Sequence, residues 1–140
     1  MNTVEINNYL KDLDCYGGAF CRDQLPPIHK RPCVIISNTD PCSKPGQHWV
    51  AMNFKRDGTG EYFDSFGYPP LSEDLINHLN LYCPSGWKYN NRIFQSIDSN
   101  VCGLYCILYV KRKCTSKKFY NLFTRDSLLN DALVQLYLSL

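Results

Sequence analysis

The feature that most constrains the fold of this chain is a helix-forming run, residues 101–113, that follows directly on a polar turn. Its apolar side chains recur at helical spacing, at Leu104, Ile107, Leu108 and Val110. The turn residues 98–100 are of types that cap helices, so we expect Cys102 in the first turn. There, free backbone N–H groups and the helix dipole favour a thiolate, which is a nucleophile. The alternative is that Cys102 is a small apolar residue buried at a helix start.

Length and composition predict one domain, residues 1–140. A chain of 140 residues, 44% of them hydrophobic, can form one apolar core but is too short for two. No apolar run has the length of a membrane span, and no signal-peptide pattern is present. We therefore expect a soluble, intracellular protein without a membrane partner. The eight cysteines are then predicted to be reduced thiols. The chain contains no Cys-x-x-Cys pair, which would have indicated a zinc site.

Hydrophobic periodicity predicts both strands and helices along the chain. The strands are expected at residues 33–36, 48–54, 61–65 and 87–94. The helices are expected at residues 3–13, 71–82, 101–113, 119–123 and 128–138, with a loop from 16 to 32. Helices before, between and after the strands predict an α+β domain.

Three polar side chains lie at the ends of predicted elements, where they would converge on one sheet edge: His48, Asp64 and Gln95. A cysteine nucleophile needs a base such as histidine, an acceptor that orients that base, and a donor for the oxyanion. Each residue alone has an ordinary interpretation, as a strand-end histidine, a turn carboxylate and a surface amide. Together with Cys102 they indicate nucleophilic catalysis.

The hairpin at residues 57–58 would fold the strand that carries Asp64 back towards His48. A symmetric turn sets Asp64 opposite Ala51, offset from His48 by about 10 Å. A bulge, an asymmetric loop or a side chain that reaches along the strand must close this gap. The sequence leaves the register open.

Three ordered blocks resemble the signature of the adenovirus-type (adenain-like) cysteine proteases, which share a clan with the SUMO and ubiquitin-like-protein proteases. They are residues 46–49, residues 62–67 and residues 95–106. The seven-residue interval from Gln95 to Cys102 fits the adenoviral branch. Residues 38–41, 45–51 and 60–64 are similar to a narrower group, the proteases of Maverick (Polinton) transposons and adintoviruses.

The resemblance implies a cysteine-protease fold, with a central, mostly antiparallel sheet flanked by helices and the nucleophile at the N-terminus of a central helix. It implies four catalytic residues: Cys102 as nucleophile, His48 as base, Asp64 as its orienting acceptor, and Gln95 as oxyanion donor with the Cys102 N–H. It also implies four substrate-binding residues: Gly46, Gln47, Trp49 and Gly103. No metal is expected.

The implied function is a cysteine endopeptidase that processes viral or transposon capsid or core precursors at Gly-Gly or Gly-X sites. We expect a monomer in the virion and in the host nucleus or cytoplasm. Adenoviral enzymes usually carry glutamate where this chain has Asp64. They also bind an activating peptide through a cysteine that residues 87–94 lack, with Cys83 a weak substitute. We therefore expect no required cofactor.

Three alternatives remain open at this point. The same chemistry would serve a deconjugating protease for a ubiquitin-like protein. Some members of the clan are acetyltransferases, although no basic pocket for coenzyme A is evident. The chain would also suit a thiol-rich binding module that holds zinc through Cys102, Cys106 and Cys114.

A basic cluster follows the central helix, at Lys111, Arg112, Lys113, Lys117 and Lys118. Its ordinary interpretation is a solvated helix end, where cations complement the dipole. The functional interpretation is non-specific DNA binding, since the adenoviral relatives use DNA as a cofactor, and DNA would then stimulate cleavage. The net charge of only +2 argues against a strong effect.

Overall fold

The computed structural model describes residues 1–140 and has a five-stranded sheet in the order β1-β2-β3-β4-β5. The strands are Tyr16–Phe20 (β1), Cys33–Asn38 (β2), Trp49–Phe54 (β3), Gly60–Phe63 (β4) and Trp87–Tyr89 (β5). The central pairs β2–β3 and β3–β4 are antiparallel, and the edge pairs β1–β2 and β4–β5 are parallel. The predicted α+β class is confirmed, with an antiparallel centre and parallel edges.

Four α-helices and one short 3₁₀ helix complete the chain. They are Thr3–Leu10 (α1), Glu73–Tyr82 (α2), Cys102–Cys114 (α3), Tyr120–Leu122 (3₁₀) and Ser127–Ser139 (α4). No helix is both long and apolar enough to cross a membrane.

The sheet separates two apolar cores, because successive side chains of a strand point to opposite faces. Val34 and Ile36 of β2 join the larger core, which α1, α3 and α4 cover. Ile35 joins the smaller core, which α2 covers with Leu75 and Leu79. Helix α3 is therefore the central helix of the larger face, and its N-terminus lies at one edge of that core.

The first strand, β1, lies within the loop predicted for residues 16–32, because Gly17 and Gly18 are residues typical of loops. Gly17 instead packs flat against β2, where a Cβ would come within 2.8 Å of Cys33 Sγ and of Ile35. Gly18 has φ +116°, and the register of the β1–β2 pair shifts there. Glycine supplies the close approach and the unusual φ that this edge strand requires.

One predicted boundary and one predicted helix cap near the site were also wrong. Strand β5 ends at Tyr89 rather than 94, because the Asn90 side chain takes over the pairing with Asp64. Helix α3 begins at Cys102, and its N-cap residue Val101 makes no side-chain hydrogen bond. Residues 98–100 therefore do not cap the helix, and its first N–H groups have no side-chain cap.

The prediction of eight reduced cysteines was wrong for four of them, which form the disulfides Cys15–Cys114 and Cys21–Cys42. The fold brings these pairs to Cα separations of 5.5 and 5.2 Å, within disulfide range. Sequence separations of 99 and 21 residues gave no sign of this proximity. The free thiols are all buried: Cys33, Cys83, Cys102 and Cys106.

The disulfides also bear on metal binding. Cys114 is bonded to Cys15, so the zinc site considered for Cys102, Cys106 and Cys114 is not formed. The one cluster of potential metal ligands contains Cys21, Asp23 and Cys42, and both of its cysteines are in a disulfide.

Candidate active site

Cys102 is the first residue of α3 and is 7% exposed. The backbone N–H groups of Trp49 and Gly103 lie near its sulfur. Burial raises the pKa of the Cys102 thiol, but hydrogen bonding to His48, the charge of His48 and these N–H groups lower it overall. The position therefore favours a thiolate, as an uncapped helix start does in general.

The His48 imidazole joins Cys102 to Asp64. His48 Nε2 lies 2.8 Å from Asp64 Oδ1, and the Asp64 side chain is buried. The register of the hairpin explains why Asp64 is so close to His48. Phe63 pairs with Ala51, so Asp64 lies one position nearer His48 than a symmetric turn would place it. The aspartate, one methylene shorter than a glutamate, is thus close enough to orient the base.

The charge state of the pair follows from these contacts. Burial by itself lowers the pKa of His48, but hydrogen bonds and charges from Asp64 and Cys102 raise it to about 9. The thiol pKa moves down while the imidazole pKa moves up. Both shifts favour a thiolate beside an imidazolium, the reactive form of a cysteine–histidine pair.

Asp64 and His48 are held by residues that sequence reasoning did not single out. Asn90 acts as a substitute strand residue: its Oδ1 accepts from Asp64 N at 2.9 Å, and its Nδ2 donates to Asp64 O at 2.7 Å. The Phe66 N–H donates to Asp64 Oδ1 at 2.8 Å, and the Phe66 ring stacks on His48 with centroids 4.9 Å apart. Phe66 lies within the block at residues 62–67, whereas nothing in the sequence indicates a role for Asn90.

Gln95 is fully enclosed, at 1% exposure, between two serines. Its Oε1 accepts from Ser65 Oγ at 2.6 Å, and its Nε2 donates to Ser99 O at 3.0 Å and Ser99 Oγ at 3.1 Å. The Ser99 carbonyl accepts only, which fixes which end of the Gln95 amide carries the hydrogens. To donate to an oxyanion, Nε2 must turn one hydrogen away from Ser99.

The four predicted substrate-binding residues fall into two groups. Trp49 and Gly103 are buried beside Cys102. Gly46 adopts φ +82° and lies against Asn38, where a Cβ would come within 2.9 Å of Asn38 Nδ2. Gln47 is exposed and makes no side-chain hydrogen bond within the chain. Gly46 therefore shapes the turn before His48, and only Trp49 and Gly103 adjoin the nucleophile.

Two cavities flank the polar cluster and share the aromatic residues Phe66 and Tyr68. One, of about 600 Å³, lies beside the base and is lined in part by His48, Asp64 and Leu71. The other, of about 480 Å³, lies beside the amide and is lined in part by Gln95, Ile93 and Ile97. Their position on both sides of the polar cluster and their apolar lining residues suit a polypeptide better than a small polar metabolite.

Comparison with known proteins gives matches at the level of solved structures. No family model matches the chain, and no curated protein sequence matches it. The crystal structure of the ASFV pS273R protease aligns over 98% of this chain with a TM-score of 0.62 and 17% identity. The selenomethionine form of the same protease aligns over 78% of this chain with a TM-score of 0.55 and 22% identity.

The chain spans 65% of the length of the first pS273R chain and 44% of the second. A third structure, the Legionella pneumophila effector RavZ, aligns over 79% of this chain with 14% identity and a TM-score of only 0.39. At these identities the likeness concerns backbone architecture. This chain has the α+β protease fold seen in pS273R.

Proposed function

We propose that this chain is a cysteine endopeptidase that cleaves polypeptides by acyl transfer through Cys102, His48 and Asp64. The observation that carries the proposal is the position of the His48 ring between the Cys102 thiol and the buried Asp64 carboxylate. Three side chains from different elements share one continuous set of contacts at a helix start. Such an arrangement supplies nucleophile, base and orienting group together.

In the first step, the Cys102 thiolate attacks the scissile carbonyl carbon, forming a carbon–sulfur bond and an oxyanion. The Cys102 N–H and Gln95 Nε2 donate to that oxygen. The His48 imidazolium then gives its proton to the departing amine as the carbon–nitrogen bond breaks, leaving a thioester on Cys102. The leaving half of the substrate exits past His48.

In the second step, His48 is neutral and takes a proton from an incoming water as the water oxygen attacks the thioester. The carbon–sulfur bond breaks, the carboxylic acid product leaves, and the thiolate–imidazolium pair is restored. Asp64 holds the imidazole orientation through both steps, and Phe66 stacks against the ring.

The substrates we propose are viral or transposon capsid or core precursors, cut at Gly-Gly or Gly-X sites. This rests on the resemblance of the three blocks to the adenovirus-type proteases and the Maverick group, and on the fold likeness to a viral protease. The enzyme would act as a monomer without a required cofactor, in the virion and in the host nucleus or cytoplasm.

A second candidate, a deconjugating protease for a ubiquitin-like protein, has one observation in its favour. Apolar side chains around the two cavities are unusually exposed, Leu71 at 81% and Ile97 at 83%. A folded substrate would cover such a surface.

The experiment that tests the proposal is a panel of capsid-derived peptides that contain Gly-Gly, assayed beside fusions of ubiquitin-like proteins. We expect cleavage of the peptides, and loss of that cleavage in Cys102→Ala. Cleavage of the fusions alone would favour the second candidate. Cleavage of neither by protein with an intact Cys102 thiol would contradict both.

A further inference from the structure

The surface beyond His48 carries a group of exposed apolar side chains that take no part in the proposed chemistry. Tyr68 is 57% exposed, Leu71 81%, Ile93 62% and Ile97 83%. All four line one or both of the cavities that flank the polar cluster. An exposed apolar patch in this position, beside the catalytic groups, is typical of a binding surface.

An aromatic wall is common to the two cavities. Phe66 and Tyr68 line both of them. The Phe66 ring also stacks on His48, with the ring centroids 4.9 Å apart. The wall therefore adjoins the catalytic base, and the two cavities open beside it.

The cavity beside the base, of about 600 Å³, offers apolar surface and no unpaired charge. The almost fully buried Tyr62 side chain lines it. Of its charged side chains, His48 and Asp64 are paired with each other, and Arg22 Nη1 lies 3.1 Å from Asp74 Oδ2. A charged ligand group would lose its hydration in this cavity without gaining a free partner.

The cavity beside the amide, of about 480 Å³, has no charged side chain in its lining. Two aromatic rings, two isoleucines, two serines and Gln95 surround it. It therefore also suits an uncharged, apolar side chain, because burial of apolar surface is the main interaction that it can offer.

The proposed mechanism places the leaving half of the substrate at the aromatic wall. His48 protonates the departing amine, so the first residue after the scissile bond lies next to the His48 ring. The Phe66 ring stacks on that imidazole. Successive side chains of an extended chain point in opposite directions. A chain that runs along the wall would thus direct its first and second side chains into different cavities.

We propose that the two cavities are leaving-side subsites that bind apolar side chains at the first and second positions after the scissile bond, with Tyr68, Leu71 and Ile97 as specificity-determining residues. The inference rests on the proposed function and deepens it, since it describes the substrate as a polypeptide whose leaving half begins with apolar residues. The occupant is the substrate itself, because the apolar surface is continuous with the catalytic pair.

The test begins with binding, so that it does not depend on hydrolysis. Short fluorescent peptides with a free N-terminal amine imitate the leaving half and begin with Leu-Leu, Leu-Ser, Ser-Leu or Ser-Ser. Fluorescence anisotropy gives their dissociation constants. The variants are Leu71→Ser and Ile97→Ser, one for each cavity. Leu81→Ser and Leu136→Ser are matched controls, because these leucines are 70% and 53% exposed and line neither cavity.

We expect the wild type to bind the Leu-Leu peptide about 100-fold more tightly than the Ser-Ser peptide. This is about tenfold for each leucine, at the low end of what burial of such a side chain contributes. Leu71→Ser should weaken the binding of one single-leucine peptide by about threefold, and Ile97→Ser should weaken the binding of the other, because each removes part of one apolar lining. Tyr68→Ala should weaken both, since Tyr68 lines both cavities. The controls should bind all four peptides as the wild type does.

The same residues are then placed after an acyl half that ends in Gly-Gly, and kcat/KM for cleavage is measured. Preferential binding of the leucine peptides by a protein that cleaves no peptide would support the subsites and contradict the proposed hydrolysis. Cleavage without any preference between leucine and serine after the scissile bond would support the proposed function and overturn the subsites.

Two further results would also overturn the inference. Equal losses of binding in Leu71→Ser, Ile97→Ser and the two controls would show non-specific adsorption of apolar peptides. Variants that slow the cleavage of a folded ubiquitin-like fusion, but leave the binding and cleavage of the peptides unchanged, would assign the surface to a folded partner.

Discussion

The first and second turns of α3 each carry a free thiol, and the two thiols differ in every property that matters for chemistry. Cys102 is 7% exposed, beside His48 and the uncapped helix start, and its pKa is lowered despite burial. Cys106 is fully buried in the larger core. Burial first, and then the charges of Cys102 and Asp64, raise the pKa of Cys106 well above its usual range.

The difference teaches that a helix does not activate a cysteine merely by containing it. The dipole acts within the first turn, and a hydrogen-bonded cation must be in reach. Four residues further along, the thiol lies fully buried in the larger core without a hydrogen-bonded cation, and it becomes a packing residue.

The largest predicted effect separates the two thiols directly. Cys102→Ala should reduce peptide cleavage by more than about 10⁴-fold, because no other group can form the thioester. Cys106→Ala should keep its cleavage rate and lose about 1 kcal/mol of unfolding free energy, the cost of a small cavity. Steady-state cleavage and urea unfolding measure the two quantities. Residual activity in Cys102→Ala with loss in Cys106→Ala would reverse the assignment.

The second prediction removes the charge that raises the His48 pKa. Asp64→Asn should lower kcat by about 10²–10⁴-fold, since the imidazole loses its orienting acceptor. The pH profile of kcat/KM should fall on the alkaline side near pH 9 in the wild type, where His48 deprotonates. Without the carboxylate the His48 pKa falls, so this limb should move to lower pH.

The control for this change is Asp12→Asn, which alters an exposed carboxylate far along the chain from the site. An alkaline limb that stays in place in Asp64→Asn would show that His48 is not the group that titrates. That result would contradict the role of His48 in lowering the pKa of Cys102, which distinguishes Cys102 from Cys106.

The third prediction concerns the oxyanion. Gln95→Ala should lower kcat by about 10²–10³-fold with little change in KM, the usual cost of one lost donor. Gln24→Ala, an exposed amide, is the matched control. A loss confined to KM would instead make Gln95 a wall of the cavity that it lines, with its Nε2 hydrogens permanently bound to Ser99.

The smallest effect concerns the C-terminal end of α3. Lys113 Nζ lies 3.8 Å from the buried Glu61, and Arg112 Nε donates to Lys118 O at 2.8 Å, so both cations already have partners. Lys111, Lys117 and Lys118 have no ion pair and remain for phosphate contacts, although the Lys111 ammonium lies over the Tyr9 ring, 5.8 Å from its centroid. If they bind DNA, DNA should stimulate cleavage a few-fold at low salt, and three contacts imply a loss of about 40-fold in affinity between 50 and 200 mM salt.

Replacing these three lysines with glutamine should abolish the stimulation. The control is the same change at three other exposed lysines, Lys11, Lys44 and Lys88. DNA stimulation that persists in the first variant, or a cleavage rate that DNA does not change, would contradict DNA binding by the cluster. The lysines would then be ordinary solvated residues near the end of the helix.

Much of the site geometry could be predicted from the sequence because it depends on local pattern. The β3–β4 hairpin and the helix start at Cys102 bring His48, Asp64 and Cys102 to one end of the sheet, although the sequence left open the one-residue register shift that brings Asp64 nearer His48. The fold class followed from the same periodicities. The roles of these residues stay a proposal until activity is measured.

What could not be predicted depends on long-range proximity. The Cys15–Cys114 disulfide, the parallel strand β1 and the contact of Met1 with Trp49 join segments whose meeting no local pattern indicates. Asn90 replaces a strand residue by side-chain geometry alone, so β5 was predicted too long. The capping prediction failed because Val101, which has no polar side chain, holds the N-cap position, and the Gly103 N–H lies near the sulfur.

The most direct test of the central claim is the pH dependence of alkylation at each thiol, with iodoacetamide and site-resolved mass spectrometry. We expect Cys102 to react with a midpoint below that of an ordinary thiol, and Cys106 not to react in the folded protein. In His48→Ala the Cys102 midpoint should move upward, because the main group that lowers its pKa is gone. A Cys102 profile like that of a free thiol, unchanged in His48→Ala, would contradict the account.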